Sequence, residues 1–480
     1  MNALSFLNQG FSSITADSRN VQQGGLFLAY PGEKNDGRDY IAQAVANGAA
    51  GVIFEVEDFV WDAAFDVPHV ATKHLKNHAG EIAAAFYANP SEKLWVVGVT
   101  GTNGKTSCSQ WLSQILSGLS KKTAVVGTLG NGFPDALQVA TNTTPDAVLL
   151  QSMLADYLKQ GANSVVMEVS SHGLQQGRVN GVQFDVAVFT NLTRDHLDYH
   201  GSMEAYAAEK AKLFDWPTLK CAVVNVDDVF GQHLATKLKQ RQQALLTYGI
   251  TQDADVRVMR LDWQSGGFNA SVQTPQGIVE LNANLIGRFN VYNVLAVLAT
   301  LLATGITLEN AAEAITQIKS ISGRMEQIGG GNLPLVVVDY AHTPDALEKV
   351  LQTLREQTQG KLICVFGCGG DRDAGKRSLM GQTATQLADI VVVTSDNPRY
   401  EDSMSIIKEV VSNLTGATFK IEPDRARAIQ DAIQNASKGD VVLIAGKGHE
   451  SYQEISGVKY PFSDFVHAQA GLQLRGEVAA

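Results

Sequence analysis

The stretch Trp95-Val-Val-Gly-Val-Thr-Gly-Thr-Asn-Gly-Lys-Thr106 decides the fold. Its apolar opening, Trp95 to Val99, predicts a buried strand, and the amphipathic run from Thr106 to Leu119 predicts a helix. Between them lies a glycine-rich turn. Gly101 and Gly104 let the backbone wrap closely around phosphate oxygens, with N–H groups aimed at them from a helix N-terminus. Lys105 would reach the β- and γ-phosphates, and the Thr106 hydroxyl would ligate Mg²⁺. The strict G-x-x-x-x-G-K-[ST] pattern fails, because Val99 stands where the first glycine belongs. The strand–loop–helix context remains, so Gly101, Thr102, Asn103, Gly104, Lys105, Thr106 and Ser107 are expected to bind ATP or a close relative.

Outward from this loop the chain alternates short apolar runs with helical segments. Ala124–Val126, Ser164–Glu168, Val186–Thr190 and Cys221–Asn225 read as parallel strands covered on both faces. Val256 to Leu285 changes to period 2 around Gly266-Gly267 and Pro275-Gln-Gly277, which predicts an antiparallel β annex. Helices over Val291–Ala303 and Leu308–Ile318 come next. A second α/β set follows, with strands at Leu335–Asp339, Leu362–Phe366, Ile390–Thr394 and Val441–Ala445. Before the loop, helices are expected over Tyr40–Asn47 and Asn77–Ala88, the latter stopped by Asn89-Pro90.

The 480 residues suggest about three domains at roughly 150 residues each. The expected architecture is a small amino-terminal α/β domain (1–87), a central P-loop domain with a parallel sheet and β annex (88–321), and a carboxy-terminal Rossmann-like α/β domain (322–480). With 45% hydrophobic and 18% charged residues, the chain has ample core. A net charge of −11 excludes a general nucleic-acid or membrane-surface binder, which needs clustered positive charge. Cys108, Cys221, Cys364 and Cys368 fall in no paired zinc spacing, which suits a reducing compartment. The start lacks the positive region of a secretory signal, and Val291–Ile306 is too short to span a bilayer. A cytoplasmic protein without membrane insertion is expected.

A phosphate loop does not say what the phosphate is for. Met167-Glu168-Val-Ser170-Ser171-His172 and Asn191-Leu-Thr-Arg194-Asp195-His196-Leu-Asp198-Tyr199-His200-Gly201 each place acid and imidazole at the end of an apolar strand. That is where α/β folds hold ligands. Each cluster alone would also serve as a capped turn. By spacing alone, Lys210 is a solvated helix residue.

At these residues the chain resembles the ATP-dependent Mur ligases of peptidoglycan synthesis. The motifs continue through Gly287-Arg-Phe-Asn290-Val-Tyr-Asn293, Asp339-Tyr-Ala-His-Thr-Pro-Asp345, Gly367-Cys-Gly-Gly-Asp-Arg372-Asp373, Asp396-Asn-Pro-Arg399 and Gly446-Lys-Gly-His-Glu450. Asp17-Ser-Arg19 and Asn35-Asp-Gly-Arg38 stand near the start, so the resemblance runs over essentially the whole chain.

The resemblance implies an ADP-forming ligase that joins meso-2,6-diaminopimelate to the D-glutamate γ-carboxylate of UDP-N-acetylmuramoyl-L-alanyl-D-glutamate through an acyl phosphate. Lys105, Glu168, His196 and Lys210 would be catalytic. Thr106 and Glu168 would hold one Mg²⁺, and His196 with Lys210, carbamylated by CO₂, another. Imidazole is an unusual Mg²⁺ ligand, so His196 fits a site residue better than a direct ligand. Asn290, Asn293, Arg324 and Asp339 would complete the ATP site. Ser18, Glu33, Lys34, Asn35, Asn142, Thr143, Thr144, Ser170, Gln176 and Arg178 would contact the UDP-muramoyl dipeptide. Arg372, Asp396, Asn397, Pro398, Arg399, Gly446 and Glu450 would hold diaminopimelate, Arg399 pairing its far carboxylate.

The expected partners are small molecules alone, bound by a monomer whose last domain closes on the others. A ligase adding L-lysine and a P-loop regulatory ATPase are the alternatives. The chain has no N-K-x-D guanine signature, and its acid–imidazole clusters exceed what a switch requires. A dehydrogenase reading of Gly367-x-Gly369-Gly370 lacks the complete G-x-G-x-x-G. Folylpolyglutamate synthetase shares the loop but not the Asp17-Ser-Arg19 and Asp396–Arg399 elements.

Overall fold

The computed structural model describes residues 2–33, 35–264, 267–414 and 418–478. It divides into two compact units: residues 1–260 with 271–281 and 292–315, and residues 261–270 with 282–291 and 316–480.

The first unit begins with a four-stranded parallel sheet in the order Ile14–Thr15, Gly25–Ala29, Ala49–Glu55, His69–Thr72. Every residue of Gly25–Ala29 is buried, as a strand covered on both faces requires. The helices Ile41–Ala46 and Leu75–Phe86 cover it. The second helix starts two residues before its expected position. It ends where Ala88 and Asn89 turn left-handed ahead of Pro90.

The large sheet has eleven strands. Its parallel core runs Leu245–Gly249, Cys221–Asn225, Val186–Phe189, Trp95–Thr100, Ser164–Glu168, Thr123–Gly127. The strand leading into the phosphate loop is thus central. Val97 pairs with Val186 on one side, and Val99 with Glu168 on the other. The chain crosses from one side of this strand to the other between Ser164–Glu168 and Val186–Phe189. That reversal opens a crevice at the carboxyl ends, where α/β sheets take ligands. Gly130–Phe133 and Ala136–Gln138 add an antiparallel edge that the sequence did not signal. The annex strands Val256–Gln264, Gly267–Thr274 and Gly277–Ala283 extend the same sheet at its opposite edge. Of the turn expected at Gly266-Gly267, Gly266 lies outside the described residues.

The second unit is built on a six-stranded sheet: Glu326–Gly329, Leu335–Asp339, Val441–Ala445, Leu362–Phe366, Ile390–Val393, Phe419–Ile421. Only the first pair is antiparallel. Side chains alternate between two cores. Val337, Cys364, Phe366, Val391 and Leu443 enter one, and Val336, Ile363, Val365, Val392 and Val442 enter the other. This is period 2 with both faces buried, which is why these strands read as unbroken apolar runs. An antiparallel hairpin, Tyr452–Ile455 with Val458–Pro461, follows the Gly446–Glu450 turn. Among the described residues no helix is long and apolar enough to cross a membrane.

Candidate active site

The phosphate loop takes its shape from two glycines. Gly101 has φ +148°, and a Cβ there would lie 1.9 Å from the Thr190 hydroxyl. Gly104 has φ +85°, and a Cβ would come within 2.4 Å of Asn293 Oδ1. Neither position admits a side chain. The loop is fixed to the neighbouring strand end: Thr102 N donates to Asn191 O at 2.8 Å, and Asn103 N to Asn191 Oδ1 at 3.0 Å. Lys105 opens the helix Lys105–Gly118, and its Nζ donates to the carbonyls of Gly101 (2.8 Å) and Thr102 (2.9 Å). Thr106 and Ser107 are buried on the same helix.

Glu168 is completely buried at the end of its strand. Its carboxylate accepts from the Thr106 hydroxyl (3.0 Å), the Thr128 amide (2.8 Å) and the Thr128 hydroxyl (3.1 Å). Among the described residues no cationic side chain pairs with it. A buried carboxylate held by neutral donors alone, beside a loop hydroxyl, is an oxygen-donor set suited to a hard cation. The residues therefore fit Mg²⁺. Among the described residues no group of three His, Cys, Asp or Glu side chains converges as metal ligands.

Lys210 corrects what spacing alone predicts. It is 1% exposed, not solvated. Tyr206 and Lys210, one turn apart, are the buried residues of the helix Met203–Ala211. Lys210 Nζ lies 4.4 Å over the Tyr206 ring and donates to Gly101 O at 2.8 Å, the carbonyl that Lys105 also uses. Burial, and then the charge of Lys105, press its pKa well below the ordinary lysine value. Tyr206 also shares a hydrogen bond with the Thr102 hydroxyl at 3.2 Å. His196 is half-exposed with φ +53°, its Nε2 3.4 Å from Asp195. Its ring packs edge-on against His172 at 4.9 Å. Burial, followed by the neighbouring His196 and His200, lowers the His172 pKa to about 4.

The expected precursor contacts adjoin Glu168. The Thr143 hydroxyl meets that of Thr128 at 3.0 Å, and the Thr144 hydroxyl donates to Glu168 O at 2.9 Å and to Ser170 Oγ at 3.1 Å. Arg178 donates to Thr144 O (2.8 Å) and Gln176 Oε1 (2.7 Å). Gln176 and the Tyr199 hydroxyl both donate to Glu33. Ser18 stands apart from this network and bonds to Gln43 at 2.7 Å. Asn35 and Asn142 are exposed, and Lys34 lies outside the described residues.

Asn293 belongs to the first unit, whereas Asn290, Arg324 and Asp339 belong to the second. Asn290 Nδ2 donates to Ile286 O at 2.8 Å. Asp339 is buried and accepts from the amides of Met325 and Ala341, each at 2.8 Å. Burial raises its pKa against the opposing pull of Arg324. Arg324 lies 4.8 Å over the Tyr340 ring, and its buried Nε has no hydrogen-bond partner.

The second unit's sheet brings Asp396–Arg399 and Gly446–Glu450 together. Asn397 Nδ2 donates to Glu450 at 2.8 Å, and the fully buried Lys447 donates to both Asn397 Oδ1 and Glu450 Oε2 at 2.9 Å. Gly446 packs so closely that a Cβ would lie 2.6 Å from Asp396 Oδ2. Pro398 O accepts from Glu401 N at 3.0 Å. Arg399, at φ +52°, donates to Gly370 O at 2.7 Å and lies 3.6 Å from Glu454. Arg372 is exposed in the adjoining loop.

Sequence reasoning missed Thr128, Tyr199, Tyr206, Lys447 and Glu454. Tyr199 and Lys447 lie inside motifs already singled out. Nothing in the sequence marks Thr128.

Three family models cover the chain: Mur ligase family, catalytic domain (residues 11–87), Mur ligase middle domain (99–301) and Mur ligase, glutamate ligase domain (323–448). A UDP-N-acetylmuramoyl-L-alanyl-D-glutamate--2,6-diaminopimelate ligase of Chromobacterium violaceum is 53% identical, over 97% of this chain and 94% of its own length. The chain belongs to the Mur ligase family. It is a ligase of peptidoglycan-precursor synthesis. A protein of the same name from Pseudomonas aeruginosa is 50% identical over 96% of this chain and 94% of its own length. A solved structure of such a ligase matches with a TM-score of 0.74 at 39% identity, covering 97% of this chain and 95% of that one. The MurF ligase of Thermotoga maritima, solved in complex with ADP, shares the fold at 20% identity, over the full length of both chains, with a TM-score of 0.66.

Proposed function

We propose that this Mur ligase joins meso-2,6-diaminopimelate to UDP-N-acetylmuramoyl-L-alanyl-D-glutamate at the expense of ATP, in the cytoplasm. The observation that carries the reading is the identity of about one half, along the whole chain, to relatives bearing that activity in their names. The arrangement around Glu168 supports it.

Transfer of the γ-phosphoryl group to the D-glutamate γ-carboxylate gives an acyl phosphate and ADP. The amine of diaminopimelate then attacks the acyl carbon, loses a proton and expels phosphate as the amide forms. Such transfer depends on positioning and charge neutralisation more than on a protein nucleophile. Gly101 to Ser107 wrap the phosphates, and Lys105 turns from its loop carbonyls to the β- and γ-oxygens. Thr106 and Glu168 would hold Mg²⁺, which neutralises charge on the transferring phosphoryl group when bound. Lys210, buried and inclined to the neutral amine, would take the carbamate, and His196 faces the Tyr206 ring that Lys210 overlies. Thr143, Thr144, Ser170, Gln176 and Arg178, with Glu33, position the muramoyl dipeptide, and Ser18 serves the uridine end. Asn290, Asn293, Arg324 and Asp339 serve the nucleoside.

In the amino-acid site, Glu450, Asp396 and Asn397 receive the amino-acid head, Gly446 leaves it room, and Arg372 and Arg399 pair carboxylates. Residues 1–87, 88–321 and 322–480 act as three domains, one for each substrate. Product mass after incubation with ATP, the UDP-muramoyl dipeptide and diaminopimelate tests this reading. Equal phosphate release with L-lysine would refute the assignment to Arg399.

A further inference from the structure

One fully buried charge pair of the second unit belongs to no group assigned so far. Arg425 opens the helix Arg425–Asn435, Asp464 opens Asp464–Val478, and both side chains are 0% exposed. They pair bidentately: Nε reaches Oδ1 and Nη2 reaches Oδ2, each at 2.7 Å. The guanidinium then donates outward to two carbonyls, Ala445 O at 3.0 Å and Ser395 O at 3.3 Å. Ala445 is the residue before Gly446–Glu450, and Ser395 the residue before Asp396–Arg399.

The strands delivering these two turns are not neighbours, because Leu362–Phe366 lies between Val441–Ala445 and Ile390–Val393. No ladder bond ties them, and one planar guanidinium spans the gap. A buried ion pair is weak evidence for stability, since apolar residues of similar volume often serve as well. What apolar residues cannot do is fix two carbonyls at a set separation. The same charge acts on the carboxylates of Asp396 and Glu450.

We propose that Arg425, braced by Asp464, is a positioning residue for the incoming amino acid, holding the Asp396–Arg399 turn in register with the Gly446–Glu450 turn. This rests on the reading that those turns hold diaminopimelate. Lysine at position 425 keeps the charge but loses the planar fork, so it cannot meet both carbonyls and both carboxylate oxygens together.

The test measures KM for diaminopimelate, ATP and the UDP-muramoyl dipeptide, together with the melting temperature, on the full chain as wild type, Arg425→Lys and Asp464→Asn. Arg425→Lys should raise KM for diaminopimelate about tenfold or more, with the other two constants within about twofold. Asp464→Asn, which loosens the brace but leaves the guanidinium, should raise the same constant by less. A lower melting temperature with unchanged KM for diaminopimelate overturns the proposal, as does a comparable rise in all three constants. If Arg425→Lys does not fold, Asp464→Asn decides, and an unchanged KM there is the refuting result. Failure of the wild type to consume diaminopimelate would sink the underlying reading too. Normal turnover by wild type and variants alike would sink only the positioning role.

Discussion

Lys210 is the residue whose surroundings say most about its chemistry. Water would hold its ammonium charged, but burial and the neighbouring Lys105 both favour the neutral amine, the form that would attack CO₂ in a carbamylation. Lys210→Ala should lose nearly all ligation and recover part of it in added short-chain carboxylate. Full activity of the unsupplemented variant in a phosphate-release assay would remove Lys210 from the mechanism. His449, in the Gly446–Glu450 turn, gives a pH prediction. Its ring Nδ1 is buried without a hydrogen-bond partner among the described residues, and burial, then the charge of Arg324, lowers its pKa from the ordinary 6.5. The unfolded chain therefore binds the extra proton first as pH falls, so the stabilising contribution is complete above 6.5 and declines below it. His449→Asn should flatten the fall in melting temperature between about pH 7 and pH 5. An unchanged slope would show that His449 does not carry it.

Among the elements, the phosphate loop and the Asp396–Arg399 turn make separable predictions. Gly104→Ala places a Cβ 2.4 Å from Asn293 Oδ1 at φ +85°, so the loop must deform. ATP affinity should fall by about tenfold or more, read by calorimetry, while diaminopimelate binding persists. Arg399→Ala should leave the far carboxylate of diaminopimelate unpaired and lower kcat/KM about 100-fold or more. Because Arg399 Nη1 also caps Gly370 O, Arg399→Lys should recover little of that loss. Both turns sit at carboxyl ends of parallel strands, where the backbone leaves the ladder with donors and acceptors still to satisfy. That is why they were legible as motifs. The hairpin Tyr452–Pro461 was not, because its four-residue strands are largely exposed and carry no apolar run.

For the whole molecule, the net charge of −11 opposes its anionic substrates. On the proposed reading recruitment is local, through loop amides, Mg²⁺ and the cations Lys105, Arg178, Arg372 and Arg399. Raising ionic strength from about 20 to 150 mM should leave kcat/KM unchanged or higher, because salt screens the long-range repulsion more than contacts inside the sites. A steep fall would show that long-range attraction steers the substrates.

The sequence by itself determined the strand–loop–helix of the phosphate site, the apolar parallel strands of both large sheets and the order of the motifs. These depend on local geometry and on period-2 burial, which neighbouring residues encode. It also carried the family, because the motifs stand whole along the chain. Only the tertiary structure decided that Lys210 is buried, that Thr128 completes the shell of Glu168, that Lys447 links Asn397 to Glu450, and that Arg425 joins two non-adjacent strand ends. Each joins residues distant in sequence or depends on packing between elements. Burial and partner choice at such points follow from which surfaces meet, and no spacing along the chain records that.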